Sequence, residues 1–148
     1  MHMELFTKSL IAFLYILVAS VVNAGSQTQT LLDQLGRAQS IEQANPIVEE
    51  LWNEWTTAHN NEDEKALMTQ GIAAMSKGNL DRAEKLFTKL IEVNPYFTEA
   101  WNKRATLRFM AWDFEGSLND VEKVLALEPR HFGALSGLGM IYLRLGDP

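Results

Sequence analysis

The sequence predicts an all-α fold in which antiparallel helix hairpins stack side by side as an α-solenoid, with an N-terminal helical cap. Three observations lead to this class. The second half of the chain repeats with a period of 34 residues. Its predicted helices carry apolar residues at spacings of three and four, and a proline ends each full unit. The chain contains no cysteine, so its stability depends on packing and not on disulfides.

Composition narrows the classes of function. The chain has 148 residues and a net charge of −6, from 13 Lys and Arg against 19 Asp and Glu. This length suits one domain with a small appendage. The acidic balance provides no basic field for broad binding of nucleic acid. Without cysteine there is no thiolate metal site, no cysteine nucleophile and no lipid-anchoring cysteine.

The segment 1–24 is typical of a secretory signal peptide. The residues from Leu10 to Val22 are apolar apart from Ser20, and a small-residue cleavage pattern ends at Ala24. We expect cleavage after Ala24 and export across the inner membrane, which places the protein in the periplasm. Two alternatives stay open. One is an uncleaved membrane anchor, although a span needs about 20 apolar residues, and the other is a buried core helix.

The segment 25–60 is predicted to be a linker followed by the N-terminal helical cap. A short helix is expected near Leu31. Ser40 and Gln43 form a capping-box pattern before a helical stripe. Pro46 lies inside that stripe, so the helix either begins near the proline or kinks there. The stripe consists of Ile41, Ala44, Val48, Leu51 and Trp55.

Small residues, core residues and prolines recur in register in the second half. Small residues in facing helices allow those helices to approach closely, and apolar residues three apart on the second helix form a core stripe. Prolines cannot continue a helix, and glycines after the first helix indicate a turn. In unit order, the sets are Gly71, Ala105 and Gly139; Ala83 and Ser117; Phe87 and Val121; Leu90 and Val124; Pro95 and Pro129; and Gly78 and Gly146, with Trp112 at the equivalent position.

This register resembles the tetratricopeptide repeat (TPR). The resemblance implies a right-handed solenoid and a TPR domain over 61–148. The stretches Trp101–Thr106 and Leu127–Gly139 are also similar to small exported alphaproteobacterial TPR proteins. The units are 64–97, 98–131 and an incomplete 132–148, and the predicted helices are 62–77, 80–93, 98–111, 115–127 and 131–145.

In the TPR fold the first helices of successive units line a concave groove, so the resemblance implies a groove for an extended peptide or a helix. Methionine adapts to varied apolar partners, but the alternative that Met68, Met75 and Met140 only fill core gaps stays open. At the positions of the carboxylate clamp of some TPR proteins only Lys103 is cationic, so an acidic-tail ligand is not predicted. The expected groove residues are Lys65, Met68, Thr69, Ile72, Met75, Asn102, Lys103, Thr106, Phe109, Ser136, Met140, Leu143 and Arg144.

Two arginines stand where the TPR fold packs apolar residues. Arg104 and Arg108 lie one helical turn apart. A buried arginine must be paired, so ion pairs with acidic residues of neighbouring helices are the first interpretation. The second is a site for an anion or a carboxylate.

The four tryptophans have different expected roles. Trp101 stands at a large-residue position of the repeat and is expected in the core. Trp52 and Trp55 are expected to pack on the first hairpin. Trp112 either fills a gap in a turn or is an exposed anchor for a partner.

No residue pattern predicts catalysis, a cofactor or a metal site. The three histidines are not at the spacing of metal ligands. Ser136 lacks the glycine two positions earlier that a nucleophile elbow requires. Gly133, Gly137 and Gly139 lie in a predicted helix, so they are interpreted as close helix packing and not as a dinucleotide loop.

The third unit contains a first helix and a turn but no second helix in this sequence. Leu135, Leu138, Ile141, Tyr142 and Leu145 are therefore expected to leave one apolar flank uncovered. Three interpretations stay open: a fragment of a longer protein, pairing of this flank with another chain, or a last helix that folds over differently.

The function predicted from these features is that of an exported, non-catalytic adaptor. Its expected partner is a protein or a peptide. Nucleic acid is not an expected partner, and stable membrane insertion is not expected once the signal is removed. The alternative is a structural or assembly subunit whose open third-repeat face pairs with another chain, including a second copy of itself.

Overall fold

Helices make up all the regular secondary structure of residues 27–57 and 61–146, which a computed structural model describes. The five helices predicted in the second half are confirmed, and their ends agree with the prediction to within one residue. The predicted signal segment 1–24 lies outside the described residues. The helices are α1 (27–37), α2 (Ile41–Thr57), α3 (Glu62–Ser76), α4 (Leu80–Val93), α5 (Thr98–Met110), α6 (Phe114–Leu127) and α7 (Phe132–Leu145).

The chain divides into two units, Met1–Glu54 and Trp55–Pro148. In the described part of the first unit, Leu31, Leu32 and Leu51 are the buried apolar residues. The second unit contains α3 to α7 and therefore all of the predicted repeats. That the first unit acts as a cap for the repeats stays a prediction.

Helix α2 begins directly after Ser40 and continues through Pro46. The Ser40 hydroxyl oxygen accepts a hydrogen bond from the Gln43 N–H at 3.4 Å, and Gln43 Oε1 accepts one from the Gln39 N–H at 2.9 Å. This is a capping box whose return bond is displaced by one residue. Hydrogen bonds from its own backbone N–H and from the Ser40 hydroxyl lower the pKa of Glu42, because they stabilise the carboxylate.

Polar side chains begin three helices of the second unit. The side-chain oxygens of Asn61, Asn79 and Asp113 accept hydrogen bonds from backbone N–H groups in the first turns of α3, α4 and α6. Pro95 and Pro129 begin the turns after α4 and α6, where a helix cannot continue. The repeat boundaries therefore follow from local chemistry.

The turn after the first helix of each unit contains a residue with left-handed backbone. Gly78 has a φ of 71° and Gly146 a φ of 75°, whereas Trp112 has a φ of 66°. Glycine adopts this conformation without steric cost, but a side chain with a Cβ pays about 1–2 kcal/mol. The Trp112 side chain is 71% exposed. The prediction that Trp112 fills a turn gap is therefore wrong, and the side chain is exposed, whereas its role as an anchor for a partner stays a prediction.

The first helix of each full unit meets the second at its small residue. A Cβ atom at Gly71 would lie 2.5 Å from Phe87 Cε1, so no side chain fits there. In the next hairpin, Ser117 Oγ donates a 2.8 Å hydrogen bond to the backbone oxygen of Ala105. The predicted close approach is confirmed in both hairpins. Helix α4 also packs on α5, and α6 packs on α7, so the hairpins form the predicted all-α TPR-like solenoid.

Helix α7 buries more of its apolar surface than the sequence predicts. Ile141 is fully buried in the cluster formed by α5, α6 and α7, and Leu138 packs partly against the same cluster. Placing Ile141 on an uncovered flank is therefore wrong. Leu135, Tyr142 and Leu145 are exposed, as expected.

Two glycines of α7, Gly137 and Gly139, do not serve close helix packing. A Cβ atom at Gly137 would make an ordinary contact, 3.8 Å from Val121 Cγ2, and one at Gly139 would meet none of the described residues within 4 Å. The prediction of close packing is wrong at both positions. These helical glycines leave space at the surface of α7.

We predict that Gly71→Ala lowers the free energy of unfolding by about 1–3 kcal/mol, the usual cost of overpacking. The ring of Phe87 is fully buried and cannot move away from an added methyl group. Gly139→Ala is the matched control and should raise the free energy of unfolding by up to about 1 kcal/mol, because alanine is the better helix former. Urea denaturation followed by circular dichroism measures both variants. Shifts of the same sign would contradict the close contact at Gly71.

Candidate functional site

The predicted groove residues lie on α3, α5 and α7, the first helices of the three units. Helix α5 packs against α7, and a cleft of about 60 Å³ opens between them. Its lining brings together four of the predicted residues: Asn102, Thr106, Phe109 and Met140. The remaining lining residues are Ala105, Ser117, Val121, Gly133 and Gly137.

The cleft is open because two lining residues of α7 have no side chain. Gly133 and Gly137 lie one helical turn apart, and 34 positions earlier α5 has Glu99 and Lys103 in their places. The floor of the cleft comes from α6, through Ser117 and Val121. These four cleft-lining residues of α6 and α7 are not among the groove residues predicted from the sequence.

On α3 the structure changes the predicted set. Met68 is 2% exposed and belongs to the core, so its predicted place in the groove is wrong. Met75 packs partly against the same core, which supports the alternative that these two methionines fill core gaps. Thr69 and Ile72 are exposed, and Lys65 forms a 2.9 Å ion pair with a carboxylate one turn earlier.

On α7 the predicted residues lie at the surface. Ser136, Met140, Leu143 and Arg144 are all exposed, with Leu143 the most exposed apolar side chain of this set. The guanidinium carbon of Arg144 lies 5.8 Å from the centroid of the Trp112 ring. For Met140, the alternative that it fills a core gap is therefore wrong.

Two predicted groove residues of α5 are bound to a buried carboxylate. Lys103 Nζ lies 2.8 Å from Glu99 Oε1, and Asn102 Nδ2 donates a 3.0 Å hydrogen bond to Glu99 Oε2. His131 Nε2 lies 3.1 Å from the same Oε2 atom. A fully buried carboxylate requires such partners. Asn102 and Lys103 are therefore held by Glu99, which leaves fewer of their N–H groups for a ligand.

His131 is fully buried at the start of α7. Its Nδ1 accepts a hydrogen bond from the Ala134 N–H at 3.2 Å, so it is the N-cap of α7. Because Nδ1 accepts, Nε2 is the nitrogen that donates to Glu99 Oε2. The ring also stacks on Trp55, with centroids 3.9 Å apart, and Trp55 lies 5.1 Å from the Phe132 ring.

Sequence reasoning alone misses this cluster. The separation of 32 residues between Glu99 and His131 has no local signature. The one available signal is the spacing of three and four from Glu99 to Asn102 and Lys103, which places their side chains on one helix face. The contact of Trp55 with His131 is likewise not predicted by the sequence.

Arg104 and Arg108 share one buried carboxylate. The Nε and Nη2 atoms of Arg104 donate to both carboxylate oxygens of Asp120, each at 2.8 Å. Nη1 of Arg108 lies 3.1 Å from Asp120, and its Nε lies 3.1 Å from Glu84. The ion-pair interpretation is confirmed. Both guanidinium groups are engaged by carboxylates, so neither is left for an anion ligand.

The cleft combines apolar side chains with a hydroxyl group. Phe109 and Met140 offer apolar contact, and the Thr106 hydroxyl donates to the backbone oxygen of Asn102 at 3.0 Å. Within residues 27–57 and 61–146, no three His, Asp or Glu side chains are grouped so as to hold a metal ion. None of the helices in these ranges has the length and apolar character needed to cross a membrane.

Comparisons with known proteins agree with the helical repeat. A TPR repeat-containing protein of Rhizobium etli is 34% identical over 129 residues, which cover 84% of this chain and 63% of that protein. The chain is a tetratricopeptide-repeat protein. Tetratricopeptide repeat protein 36 of Bos taurus is 38% identical to it over 66 residues, or 45% of the chain and 35% of that protein. Protein FlbA of Caulobacter vibrioides is 29% identical over 130 residues, or 88% of the chain and 21% of that protein.

The alignment with this TPR chain covers only part of the length of each relative. The chain spans about 63% of the Rhizobium etli protein and smaller shares of the other two. No protein-family profile matches the chain, and no solved structure matches it. TPR proteins typically bind protein partners.

We predict that Asp120→Asn lowers the free energy of unfolding of the TPR protein by about 3–5 kcal/mol, the usual cost of breaking a buried ion pair. The loss arises because Arg104 would stay buried without a counter-charge. Glu84→Gln removes the exposed partner of Arg108 and should cost less than about 1 kcal/mol. Urea denaturation measures both variants. Equal losses of unfolding free energy in the two variants would mean that the burial of Asp120 does not determine how much its ion pair stabilises the protein.

Proposed function

We propose that this TPR protein is an exported, non-catalytic adaptor that binds a protein partner in the groove between α5 and α7. The partner presents an extended peptide or a helix to this groove. Export rests on the signal pattern of residues 1–24. N-terminal sequencing of the protein from a periplasmic fraction tests that part, and a first residue other than Gly25 would contradict it.

The observation that carries the proposal is the cleft itself. Gly133 and Gly137 leave an opening of about 60 Å³ beside the exposed Met140 and the half-buried Phe109. A groove of this kind takes an apolar side chain of a partner, while neighbouring hydroxyl and amide groups bond to its backbone. The TPR relatives support a role in protein–protein interaction.

We predict that Gly137→Leu weakens partner binding at least tenfold, because the added side chain enters the cleft next to Val121. Gly139→Leu adds the same side chain to the same helix where no described residue lies within 4 Å, and it should leave binding unchanged. The measurement is affinity capture from an extract of the source cells, with the amount of each retained protein quantified by mass spectrometry for both variants.

The outcome that supports the groove is a protein retained by the unmodified chain and by Gly139→Leu but not by Gly137→Leu. Met140→Glu is the second groove variant, used in case Gly137→Leu lowers the melting temperature. Retention of the same proteins by all variants would contradict the groove.

A second candidate function is assembly through the outer face of α7. The exposure of Leu135, Tyr142 and Leu145 favours it, because a group of exposed apolar side chains is typical of a protein interaction surface. Burial of one such side chain stabilises an interface by roughly 1.5–3 kcal/mol. In this hypothesis the α7 face pairs with another chain, including a second copy.

We predict for this second candidate that Leu145→Glu shifts the protein from dimer to monomer, since a charge cannot be buried in an apolar interface. Sedimentation velocity at several protein concentrations measures the change. The control is Ile72→Glu, an exposed apolar residue on α3 away from that face. If the unmodified protein is a monomer at all concentrations, self-association is contradicted.

A further inference from the structure

The turn between α5 and α6 presents an exposed aromatic residue on unfavourable backbone. Trp112 has a φ of 66° where the two equivalent turns have glycine. Its side chain is 71% exposed, so burial does not offset the backbone conformation. A residue that has an unfavourable backbone conformation and an exposed side chain does not stabilise the fold, which points to a role in function.

Trp112 belongs to a surface that we call the turn patch, which surrounds a cavity of about 150 Å³. The Phe114 ring lies 5.4 Å from the Phe109 ring and 5.8 Å from the Trp112 ring, between centroids. These three rings line the cavity together with the guanidinium group of Arg144. The residues of the turn patch are Phe109, Met110, Trp112, Phe114 and Arg144.

Arg144 gives the turn patch a free positive charge. Its guanidinium lies over the Trp112 ring, and no carboxylate of the described residues lies within 4 Å of its nitrogens. Arg104 and Arg108, in contrast, are both paired with carboxylates. A guanidinium that stacks on an aromatic face keeps N–H groups at its edge, where a planar carboxylate can accept two hydrogen bonds.

We propose that the turn patch binds a peptide segment of the partner in which an apolar side chain lies close to a carboxylate. The apolar side chain enters the cavity between the aromatic rings, and the carboxylate of an Asp, a Glu or the chain terminus pairs with Arg144. Exposed tryptophan and arginine are the residue types that most often dominate binding energy at protein interfaces.

The turn patch continues the groove, because Phe109 lines both the cleft and the cavity of the patch. One peptide can therefore contact both. This inference rests on the proposed function and adds to it the chemistry of the bound segment: apolar, with a negative charge at the end that reaches Arg144 of α7.

The test selects phage-displayed peptides of twelve random residues on the unmodified protein, with soluble Trp112→Gly protein as competitor. We expect the recovered peptides to combine an aromatic or branched apolar residue with a nearby Asp, Glu or free carboxyl terminus. Synthetic copies should bind the unmodified protein at least tenfold more tightly than either Trp112→Gly or Arg144→Gln. Salt should weaken binding to the unmodified protein more than binding to Arg144→Gln.

Trp112→Gly separates binding from folding. Glycine suits the φ of 66°, so the melting temperature should stay unchanged or rise although peptide binding is lost. Trp112→Asn is the second variant, because asparagine also tolerates left-handed backbone without adding freedom to the unfolded chain as glycine does. A lower melting temperature of both variants with unchanged peptide binding would make Trp112 a structural residue and overturn the inference.

The remaining outcomes distinguish the inference from the proposed function. Peptides that bind Trp112→Gly as tightly as the unmodified protein but lose affinity for Gly137→Leu would overturn the turn patch and leave the groove intact. Peptides without an acidic group would overturn the pairing with Arg144. A selection that yields no peptide even without the competitor would contradict both proposals.

Discussion

The contact of the first helix with the second, at a residue with little or no side chain, is the constraint from which the rest of the repeat array follows. At Gly71 the facing ring of Phe87 occupies the space that a Cβ atom would need. At Ala105 the short side chain of Ser117 reaches the backbone and forms a buried hydrogen bond. Because each hairpin is closed in this way, its remaining apolar residues turn toward the neighbouring hairpin and stack the units.

Helix α5 connects the array through buried charges. Its Arg104 pairs with Asp120 of α6, and its Glu99 meets His131 at the start of α7. Buried charges stabilise a unique arrangement only when each has its partner. Since these pairs use most of the charge of α5 inside the protein, the groove is left mainly with apolar groups and the Thr106 hydroxyl. In the function that we propose, a partner is therefore recognised there mainly by shape.

The surfaces to which we assign partner binding lie around the end of α5 and on α7. Helix α7 contributes glycines where α5 has long side chains, and this difference opens the cleft. The neighbouring turn exposes Trp112 beside Arg144, which has no carboxylate partner among the described residues. The cleft and the aromatic cavity adjoin at Phe109, so the partner recognition that we propose depends on the second and third units more than on the first.

Local features of the sequence determined the helices, the turns and the repeat. Prolines act within a few positions of the chain, and the small residues recur with the 34-residue period, so their effects can be read without coordinates. The burial of Met68 and Ile141, the partners of Glu99 and the exposure of Trp112 were decided by the tertiary structure alone. The physical reason is that a pattern with a period of 34 residues indicates only which face of each helix is apolar. Which polar or aromatic side chains meet across helices depends on groups as far apart in the chain as Glu99 and His131.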